Sequence, residues 1–368
     1  MDNKIPNNLS IRFGKPSVFL FVLYFMTYVI SNINIDYIRP TDPTKHFVMV
    51  GIAIISLVVF RLQSIRTIAI FLPIEAIYFI GGQYFYSLMV IVFAAAIPLI
   101  SNAVSYIVRF QKKNIVLLMF LIALIPTLYG IIQNGFDSLL TSYYGRDRLL
   151  LGYWHPKEAA ACFFVPSFLY IMIVDIGKFK SYFFLFPLFF IIMGSKNIAL
   201  AMLIGLMLRY YRVQFVALLT FFLLIMLVFI LNLQSDELDL LNQFLSFRID
   251  TWSNAIDDYS RFVKDDSEFG GDRLGLDSFY IEVFVRAGLA GIVLLSVWLF
   301  LFRYFALRNF KKNIWSFSAF CMMLSLSVFD SGFVSTGNLL HIFNWAVVCI
   351  SLFPKLMSLE YIRKESAI

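Results

Sequence analysis

Four basic residues have the type and setting to bind an anion: Arg146, Arg148, Lys196 and Arg248. Arg146 and Arg148 are two residues apart. Two guanidinium groups at that spacing can clamp a phosphate or a diphosphate, because each fork is planar and permanently charged. Contact with lipid headgroups is the simpler explanation for loop arginines, and composition alone slightly favours it. The choice depends on which face of a membrane these residues occupy.

Two further residues could exchange a proton with a substrate, His155 and Asp277. His155 follows Arg148 by seven residues, although a lone histidine at the end of a span is more often only interfacial. Asp277 lies at the start of an apolar run, where the dipole of the predicted helix stabilises its carboxylate. It could be only a helix cap, or it could be a general base if it faces a cavity. The three cysteines fall inside apolar runs without disulfide or metal spacing, so we expect no metal and no cofactor.

Composition assigns the chain to the membrane proteins. Of its 368 residues, 60% are hydrophobic and only 14% are charged. A bilayer-spanning helix needs about 20 apolar residues, and such segments fill most of the chain. The net charge of +7 does not indicate nucleic-acid binding, because the basic residues lie in short loops rather than on one exposed face. No cleavage site follows the first apolar run, so we expect an uncleaved first span.

The predicted fold is all-α, a single integral membrane domain over 1–368 with about 12 transmembrane helices. The apolar runs predict spans near 17–35, 46–60, 65–80, 84–107, 114–132, 157–176, 181–194, 197–208, 214–233, 277–302, 313–330 and 338–354. Two long loops remain, 133–156 and 234–276. Function is more often found in such loops than in tight turns.

The basic residues divide into two sets when the spans are followed alternately across the membrane. One set holds 19 of the 30: Lys4, Arg12, Lys15, Arg61, Arg66, Arg109, Lys112, Lys113, Lys178, Lys180, Arg209, Arg212, Arg303, Arg308, Lys311, Lys312, Lys355, Arg363 and Lys364. The positive-inside rule makes this set, and both termini, cytoplasmic. Loops 133–156 and 234–276 then lie outside, together with the four candidate anion ligands. These four residues lie on the side of the membrane that carries fewer basic residues. Their presence there indicates that they bind an anionic substrate such as a lipid-linked phosphate.

The segment 181–208 is predicted to be a short helical hairpin that enters from the cytoplasm and returns. It is too short for two full crossings, and both of its flanks are basic. Its tip is Gly194-Ser195-Lys196-Asn197. Each arm of about 14 residues would be roughly 20 Å long, which leaves the tip below the outer surface. Lys196 is then expected to face a cavity that opens outward, since polar backbone at this depth must line water or be buried in protein.

Loop 234–276 begins with an amphipathic helical pattern. The apolar residues of its stripe are Leu241, Leu245, Trp252, Ile256 and Tyr259. Such a helix lies along the membrane surface. Arg248 falls on the same stripe and must reach a phosphate, a carboxylate or a cavity, or else extend to a lipid headgroup.

At these residues the chain resembles the O-antigen polymerase and O-antigen ligase superfamily. The motifs, in the family's order, are Arg148-x3-Gly152-x2-His155-Pro156, Gly194-Ser195-Lys196, Arg248-x3-Trp252, Asp277-Ser278-Phe279-Tyr280 and Arg286-Ala287-Gly288-Leu289-Ala290-Gly291. They cover roughly 145–295, and the topology and length resemble the family over the whole chain. The chain departs from the pattern at Lys196, where the family often has Arg, and at Asp277-Ser278, where it often has His-Asn.

The resemblance implies a metal-independent, inverting glycosyl transfer at the outer face of the bacterial inner membrane. A sugar hydroxyl attacks the anomeric carbon, and a polyprenyl diphosphate leaves. Fixed cations stabilise the charge that the diphosphate gains. Arg148 and Arg248 are the first candidates for this role, followed by Arg146 and Lys196.

A base must also take the hydroxyl proton. His155 is expected to be that base and Asp277 to orient the hydroxyl, because imidazole has an ordinary pKa of about 6.5 and an aspartate at a helix N-terminus is a weaker base. The reverse assignment stays open. The implied partners are an undecaprenyl-diphosphate-linked oligosaccharide, membrane lipid and a chain-length regulator protein, with no nucleic acid.

Polymerisation of lipid-linked repeat units is the predicted activity, and two alternatives remain. A ligase of the same superfamily would move finished glycan to the lipid A core, and the residues alone do not separate it from a polymerase. A flippase or transporter would show internal repeats, broken helices or charges along a path through both leaflets. The polar clusters concentrate at the outer end instead, which disfavours transport.

Overall fold

The computed structural model describes residues 13–33, 44–143, 146–175, 180–211, 214, 278–310, 314–328 and 338–350, with the backbone alone at 137–138, 141–143, 146–148, 286 and 303–310. In these residues α1–α6 cover Gly14–Ile30, Thr44–Val59, Arg61–Ile80, Tyr84–Arg109, Lys113–Ala123 and Ile125–Asn134. Strands β1 and β2 are Leu140–Tyr143 and Arg146–Leu149. Helices α7–α12 cover Pro156–Val174, Leu185–Ile192, 196–211, Phe279–Phe310, Ile314–Val328 and Leu339–Cys349.

Helix α4 is the central element of the bundle. It packs against α1, α2, α3, α7 and α12. Its buried face is rich in alanine and serine, and small residues let neighbouring helices approach closely in a membrane protein. The Ser101 hydroxyl donates to the Ala346 carbonyl of α12 at 2.8 Å, and the Asn102 amide donates to the Ser17 hydroxyl of α1 at 3.0 Å. Close packing and these hydrogen bonds fix α4 between the two halves of the chain.

A cluster of aromatic rings joins the early helices to the late ones. Phe71 of α3 lies 5.2 Å from Trp345 of α12 and 6.0 Å from Trp298 of α10, measured between ring centroids. The Trp298 ring in turn lies 4.6 Å from Phe302. Large rings bury much apolar area and prefer such edge-to-face or tilted contacts. This cluster therefore holds α3, α10 and α12 together.

Within the part of the chain that the structure describes, four helical stretches are long and apolar enough to cross a membrane: Arg61–Ile80, Tyr84–Arg109, Lys113–Asn134 and Pro156–Val174. The outer faces of the bundle are also apolar. Leu121 on α5, Ile132 on α6 and Ile192 on α8 are all more than half exposed. Large exposed apolar faces of this kind are suited to lipid rather than water. The protein is therefore a helical integral membrane protein.

Eleven of the predicted spans coincide with helices, whereas 214–233 lies almost wholly outside the described residues. This agreement does not give the number of membrane crossings. Several of the helices have only 10–17 residues, whereas a full crossing needs about 20. The predicted span 114–132 consists of two helices that meet at Leu124. Pro126 follows this break in the first turn of α6, where its missing N–H costs no helical hydrogen bond.

The all-α prediction is incomplete, because loop 133–156 contains a β-hairpin. Strands β1 and β2 pair in antiparallel register, with Thr141 opposite Arg148 and Tyr143 opposite Arg146. The Leu150 amide extends the pairing to the Leu139 carbonyl at 2.8 Å. Strands of four residues are too short for an alternating pattern to indicate them in the sequence.

The segment 181–208 turns back on itself, as the sequence predicted. A short 3-10 turn, Ser181–Phe184, leads into α8, and α9 returns after Gly194. The Phe183 ring at the start lies 6.1 Å from the Tyr210 ring near the end of α9, so the two arms begin and end side by side. The first arm is shorter than predicted, since α8 has only eight residues, and the second is longer.

Candidate active site

Several polar side chains lie at the N-terminal end of α7, including His155 and Glu158. His155 is the N-cap of α7, with the extended backbone typical of that position (φ −143°, ψ 143°). Its Nδ1 accepts a hydrogen bond from the Lys157 amide at 3.0 Å. Pro156 occupies the first turn, and Glu158 follows it where the helix dipole stabilises a carboxylate.

The loop before α7 is anchored on the junction between α5 and α6. Leu151 and Gly152 both have left-handed backbone conformations, with φ of 53° and 75°. A Cβ on Gly152 would lie 2.0 Å from the Pro126 carbonyl oxygen, so only glycine fits there. The Thr127 hydroxyl donates to the Leu151 carbonyl at 2.9 Å. The unusual conformation is therefore enforced by contacts, as is common at functional sites.

The same loop is also fixed to the end of α1. Tyr153 is fully buried, its hydroxyl donates to the Ala123 carbonyl at 2.8 Å, and burial raises the pKa of this phenol well above its ordinary value. Ile33 and Tyr153 form an isolated antiparallel bridge. The Trp154 amide donates to the Asn32 carbonyl at 3.0 Å. His155 is thus held between two anchored segments of backbone.

Glu158 connects α7 to α1 and, through Tyr28, to α2. The hydroxyl of Tyr28, a fully buried residue near the end of α1, donates a hydrogen bond to Glu158 Oε2. The Lys45 ammonium, in the first turn of α2, lies 5.4 Å from the centroid of the Tyr28 ring, within range of a cation–π interaction. Tyr28, Lys45, His155 and Glu158 form what we call the α7 head cluster. It brings a carboxylate, a phenol, an ammonium and an imidazole to one end of the bundle.

The arginine pair lies directly before the α7 head cluster. Arg146 and Arg148 occupy alternate positions of β2, and alternate positions of a strand belong to one face. This register is what a two-arginine clamp requires. The structure describes only the backbone here, so binding of a phosphate by these two residues stays a prediction.

The first arm of the helical hairpin, α8, runs antiparallel beside α7. The ring of Phe186 lies 6.4 Å from Tyr170, and the ring of Phe189 lies 5.6 Å from Phe163. Gly194 at the tip is five positions after Phe189, and Glu158 is five positions before Phe163. At about 1.5 Å per residue, both paths advance roughly 7–8 Å toward the same end. The tip of the hairpin is therefore at the height of the first turn of α7.

Lys196 occupies the first turn of α9, immediately after the tip. Gly194 has a left-handed conformation (φ 74°), and the Ser195 amide donates to the Phe190 carbonyl at 2.9 Å, which ends α8 in the manner of a Schellman motif. Ser195 is buried and its carbonyl accepts from the Ala199 amide, whereas Lys196 is exposed. The turn thus fixes the backbone at Lys196 and leaves its side chain at the surface of the bundle.

The two remaining predicted site residues, Arg248 and Asp277, lie outside the described residues, as does the predicted amphipathic helix of loop 234–276. The four-residue spacing of Glu282 and Arg286 predicts an ion pair on one face of α10. The structure describes Glu282 in the first turn of this helix but only the backbone of Arg286, so the pair stays a prediction. Among the residues that the structure describes, no group of three His, Cys, Asp or Glu side chains is arranged to hold a metal ion.

Sequence reasoning missed Glu158 and Lys45. The Tyr28–Glu158 hydrogen bond joins residues 130 positions apart, so no local spacing could reveal it. A usable signal was present nonetheless. An acid in the first turn of a predicted span is expensive near a membrane and is a functional candidate by default. Glu75, an acid in the interior of a predicted span, accepts a hydrogen bond from the Ser87 hydroxyl at 2.5 Å and joins α3 to α4.

A second polar cluster lies at the opposite end of α7. Asp175 forms an ion pair with Arg209 of α9 at 2.6 Å, and the Trp315 indole of α11 donates to the same carboxylate at 3.1 Å. The Tyr210 hydroxyl donates to the other carboxylate oxygen at 3.2 Å. Both oxygens of Asp175 are therefore bound by side chains from the ends of two other helices, α9 and α11. This arrangement fits a structural tie better than a catalytic site.

The fold defines the class broadly, as a helical integral membrane protein with a polar cluster at one end of its bundle. No protein-family model matches the chain, and no curated protein or solved structure shows a significant similarity to it. The motif resemblance to the O-antigen polymerase and ligase superfamily therefore stays a prediction.

Proposed function

We propose that the protein is a metal-independent, inverting glycosyltransferase of the O-antigen polymerase type. It transfers a growing glycan from a polyprenyl diphosphate to a new lipid-linked repeat unit. The reaction takes place on the periplasmic side of the bacterial inner membrane, with both termini in the cytoplasm. The substrate class is an undecaprenyl-diphosphate-linked oligosaccharide.

One observation carries the proposal, the common height of the α7 head cluster and the hairpin tip. The two motifs that supply His155 and Lys196 are 41 positions apart in sequence. Antiparallel packing of α8 on α7 brings both motifs to one end of the bundle. The β-hairpin of β1 and β2, which carries Arg146 and Arg148, comes directly before α7 and so leads into the same end. A lipid-linked diphosphate sugar needs such a site, with cations near a membrane surface and groups that can exchange a proton.

In the proposed reaction the acceptor hydroxyl oxygen forms a bond to the anomeric carbon, and the bond from that carbon to the diphosphate oxygen breaks. The electron pair leaves with the diphosphate. Arg148, Arg248, Arg146 and Lys196 stabilise the added negative charge, and fixed cations do this best because they need not reorganise during the reaction. The hydroxyl proton passes to a base of the protein.

His155 enters this scheme with a defined orientation. Because Nδ1 accepts a hydrogen bond from the Lys157 amide, the proton of the neutral imidazole is on Nε2. In that tautomer Nε2 is a hydrogen-bond donor and not a proton acceptor. A role as base would require the ring to release the Lys157 amide or exchange its tautomer, and that role stays a prediction.

The length of the surface glycan in a strain that lacks this gene tests the proposal. A polymerase is indicated if lipopolysaccharide then carries a single repeat unit and the plasmid-borne gene restores the ladder. Undecorated core with accumulated long lipid-linked glycan would indicate the ligase instead. A normal ladder in the mutant would contradict both glycosyltransferase roles.

A further inference from the structure

We propose that Glu158 is the group that binds the acceptor hydroxyl and takes its proton. This inference rests on the proposed function and assigns its base to a residue outside the motifs that the chain shares with the superfamily. In the step, the hydroxyl oxygen bonds to the anomeric carbon while its proton passes to a Glu158 carboxylate oxygen. The bond from the anomeric carbon to the diphosphate breaks with its electron pair on the diphosphate, so charge and protons balance.

The position of Glu158 fits an acceptor site. It lies in the first turn of α7, three residues after His155 and at the height of the hairpin tip that carries Lys196. A carboxylate has about four acceptor positions and can bind several donors at once, and the Tyr28 hydroxyl is one donor to Glu158. Lys196, a proposed ligand of the diphosphate, and the carboxylate proposed for the acceptor thus lie at the same end of the bundle.

The surroundings of Glu158 hold its carboxylate in a fixed orientation. Tyr28 is fully buried, so the phenol that donates to Oε2 cannot move far. Lys45 lies over the Tyr28 ring and adds positive charge to the cluster. The dipole at the start of α7 also favours an ionised carboxylate there. These contacts weaken the carboxylate as a base, as the dipole does for Asp277, but they keep it ionised and positioned before the reaction. A weak base is sufficient here, because the hydroxyl becomes strongly acidic as its oxygen bonds to the anomeric carbon.

The geometry favours Glu158 over His155 for proton uptake. The Nδ1 lone pair of His155 already accepts the Lys157 amide, and Nε2 carries the proton of the neutral ring. Glu158 needs no change of tautomer to accept a proton. His155 then acts as the N-cap and as a donor beside the carboxylate. The two residues divide the work that a single base was expected to do.

The test compares isosteric variants of two carboxylates, each of which accepts a hydroxyl hydrogen bond. Glu158→Gln and the matched control Glu75→Gln are purified and supplied with a synthetic polyprenyl-diphosphate-linked repeat unit. Turnover, substrate binding and thermal unfolding are measured. We expect Glu158→Gln to lose about 100-fold or more in kcat with nearly unchanged substrate affinity, as expected for loss of a general base. Glu75→Gln should keep the turnover of the wild type.

Two further variants separate a lost base from a lost fold. Glu158→Ala should regain part of its turnover when formate, a small carboxylate, is added, and Glu158→Asp should be intermediate. Tyr28→Phe removes only the orienting phenol and should lower kcat less than Glu158→Gln does. Formate cannot restore a misfolded protein, so rescue would support the base role directly.

The results also separate this inference from the proposed function. Normal turnover in Glu158→Gln, or a loss without formate rescue in a stable Glu158→Ala, would overturn the inference while polymerase activity stands. Absence of any polymer from the wild-type protein, with intact repeat units bound or unbound, would instead contradict the proposed function.

Discussion

At the residue scale, one hydrogen bond on His155 decides how that side chain can act. The Lys157 amide binds Nδ1, which makes His155 a helix N-cap whatever its part in catalysis. Asparagine is a favourable N-cap because its side-chain oxygen accepts the same kind of amide hydrogen bond, whereas alanine does not. The cap and the chemistry of this residue can therefore be separated by mutation.

We expect His155→Ala to lower the free energy of unfolding by about 1 kcal/mol and His155→Asn to keep wild-type stability. Thermal unfolding of the two detergent-solubilised variants measures the difference. If His155 also donates to the substrate through Nε2, His155→Asn will be stable but slow. Equal loss of stability in both variants would contradict the capping role.

The arginines of β2 carry the second prediction at this scale. Arg148→Ala should abolish polymer at equal protein level, because a hydrogen bond to a charged group contributes about 1.5–3 kcal/mol. Arg148→Lys should restore only part of the ladder, since lysine lacks the planar fork. The glycan ladder of complemented cells is the measurement.

The exposed Arg66, near the start of α3 and in the basic set predicted to be cytoplasmic, is the matched control. Arg66→Ala should leave the ladder unchanged. A wild-type ladder from Arg148→Ala would remove Arg148 from the diphosphate site.

The sequence could predict the pair of Arg146 and Arg148 because its chemistry is local, with two guanidinium groups at alternate positions. It could not predict the Tyr28–Glu158 contact, which depends on how α1 and α7 pack.

At the scale of elements, the buried ion pair of Asp175 and Arg209 connects three helix ends. The two side chains are 3% and 10% exposed, so removal of one partner leaves a charge with little access to water. Breaking a buried pair in this way costs about 3–5 kcal/mol, whereas replacing both charges costs much less. The cluster therefore contributes stability only as a complete unit.

We expect Arg209→Ala to lower the yield and the melting temperature of the protein strongly, and the double variant Asp175→Asn/Arg209→Ala to be more stable than Arg209→Ala. Size-exclusion profiles and melting curves in detergent provide the comparison. A double variant that is less stable than the single one would show that the pair is not coupled. The same cluster also has no predicted part in catalysis, so the surviving double variant should still bind lipid-linked substrate.

The sequence predicted most helices because long apolar runs dominate this chain. It did not predict features that do not interrupt or alter an apolar run, such as a helix break or a very short strand. The break at Leu124 follows from Pro126, which the hydropathy pattern does not weigh. The β-hairpin is too short for a strand pattern. The hairpin over 181–208 was predicted from its basic flanks, and the contact between Phe183 and Tyr210 confirms its shape.

At the scale of the whole molecule, the ends of α7 and α9 and the start of α11 meet at Asp175, Arg209 and Trp315. These three ends therefore lie on one side of the bundle, and the nearby basic loops predict that this side is cytoplasmic. The α7 head cluster lies at the other end of α7. The active site that we propose is consequently separated from the basic loops by the length of that helix, about 28 Å at 1.5 Å per residue.

Labelling with a membrane-impermeant maleimide tests this arrangement. Two single-cysteine variants, Lys196→Cys and Ser181→Cys, are made in a background without the three native cysteines. Both positions are exposed, but they lie at opposite ends of the same hairpin. We expect intact cells to be labelled at position 196 and not at 181, while opened membranes are labelled at both. Labelling of 181 alone from outside would reverse the topology. If neither position is labelled from outside but both react fully in opened membranes, the prediction of an outward-facing cavity at Lys196, which a lipid-linked substrate needs, is wrong.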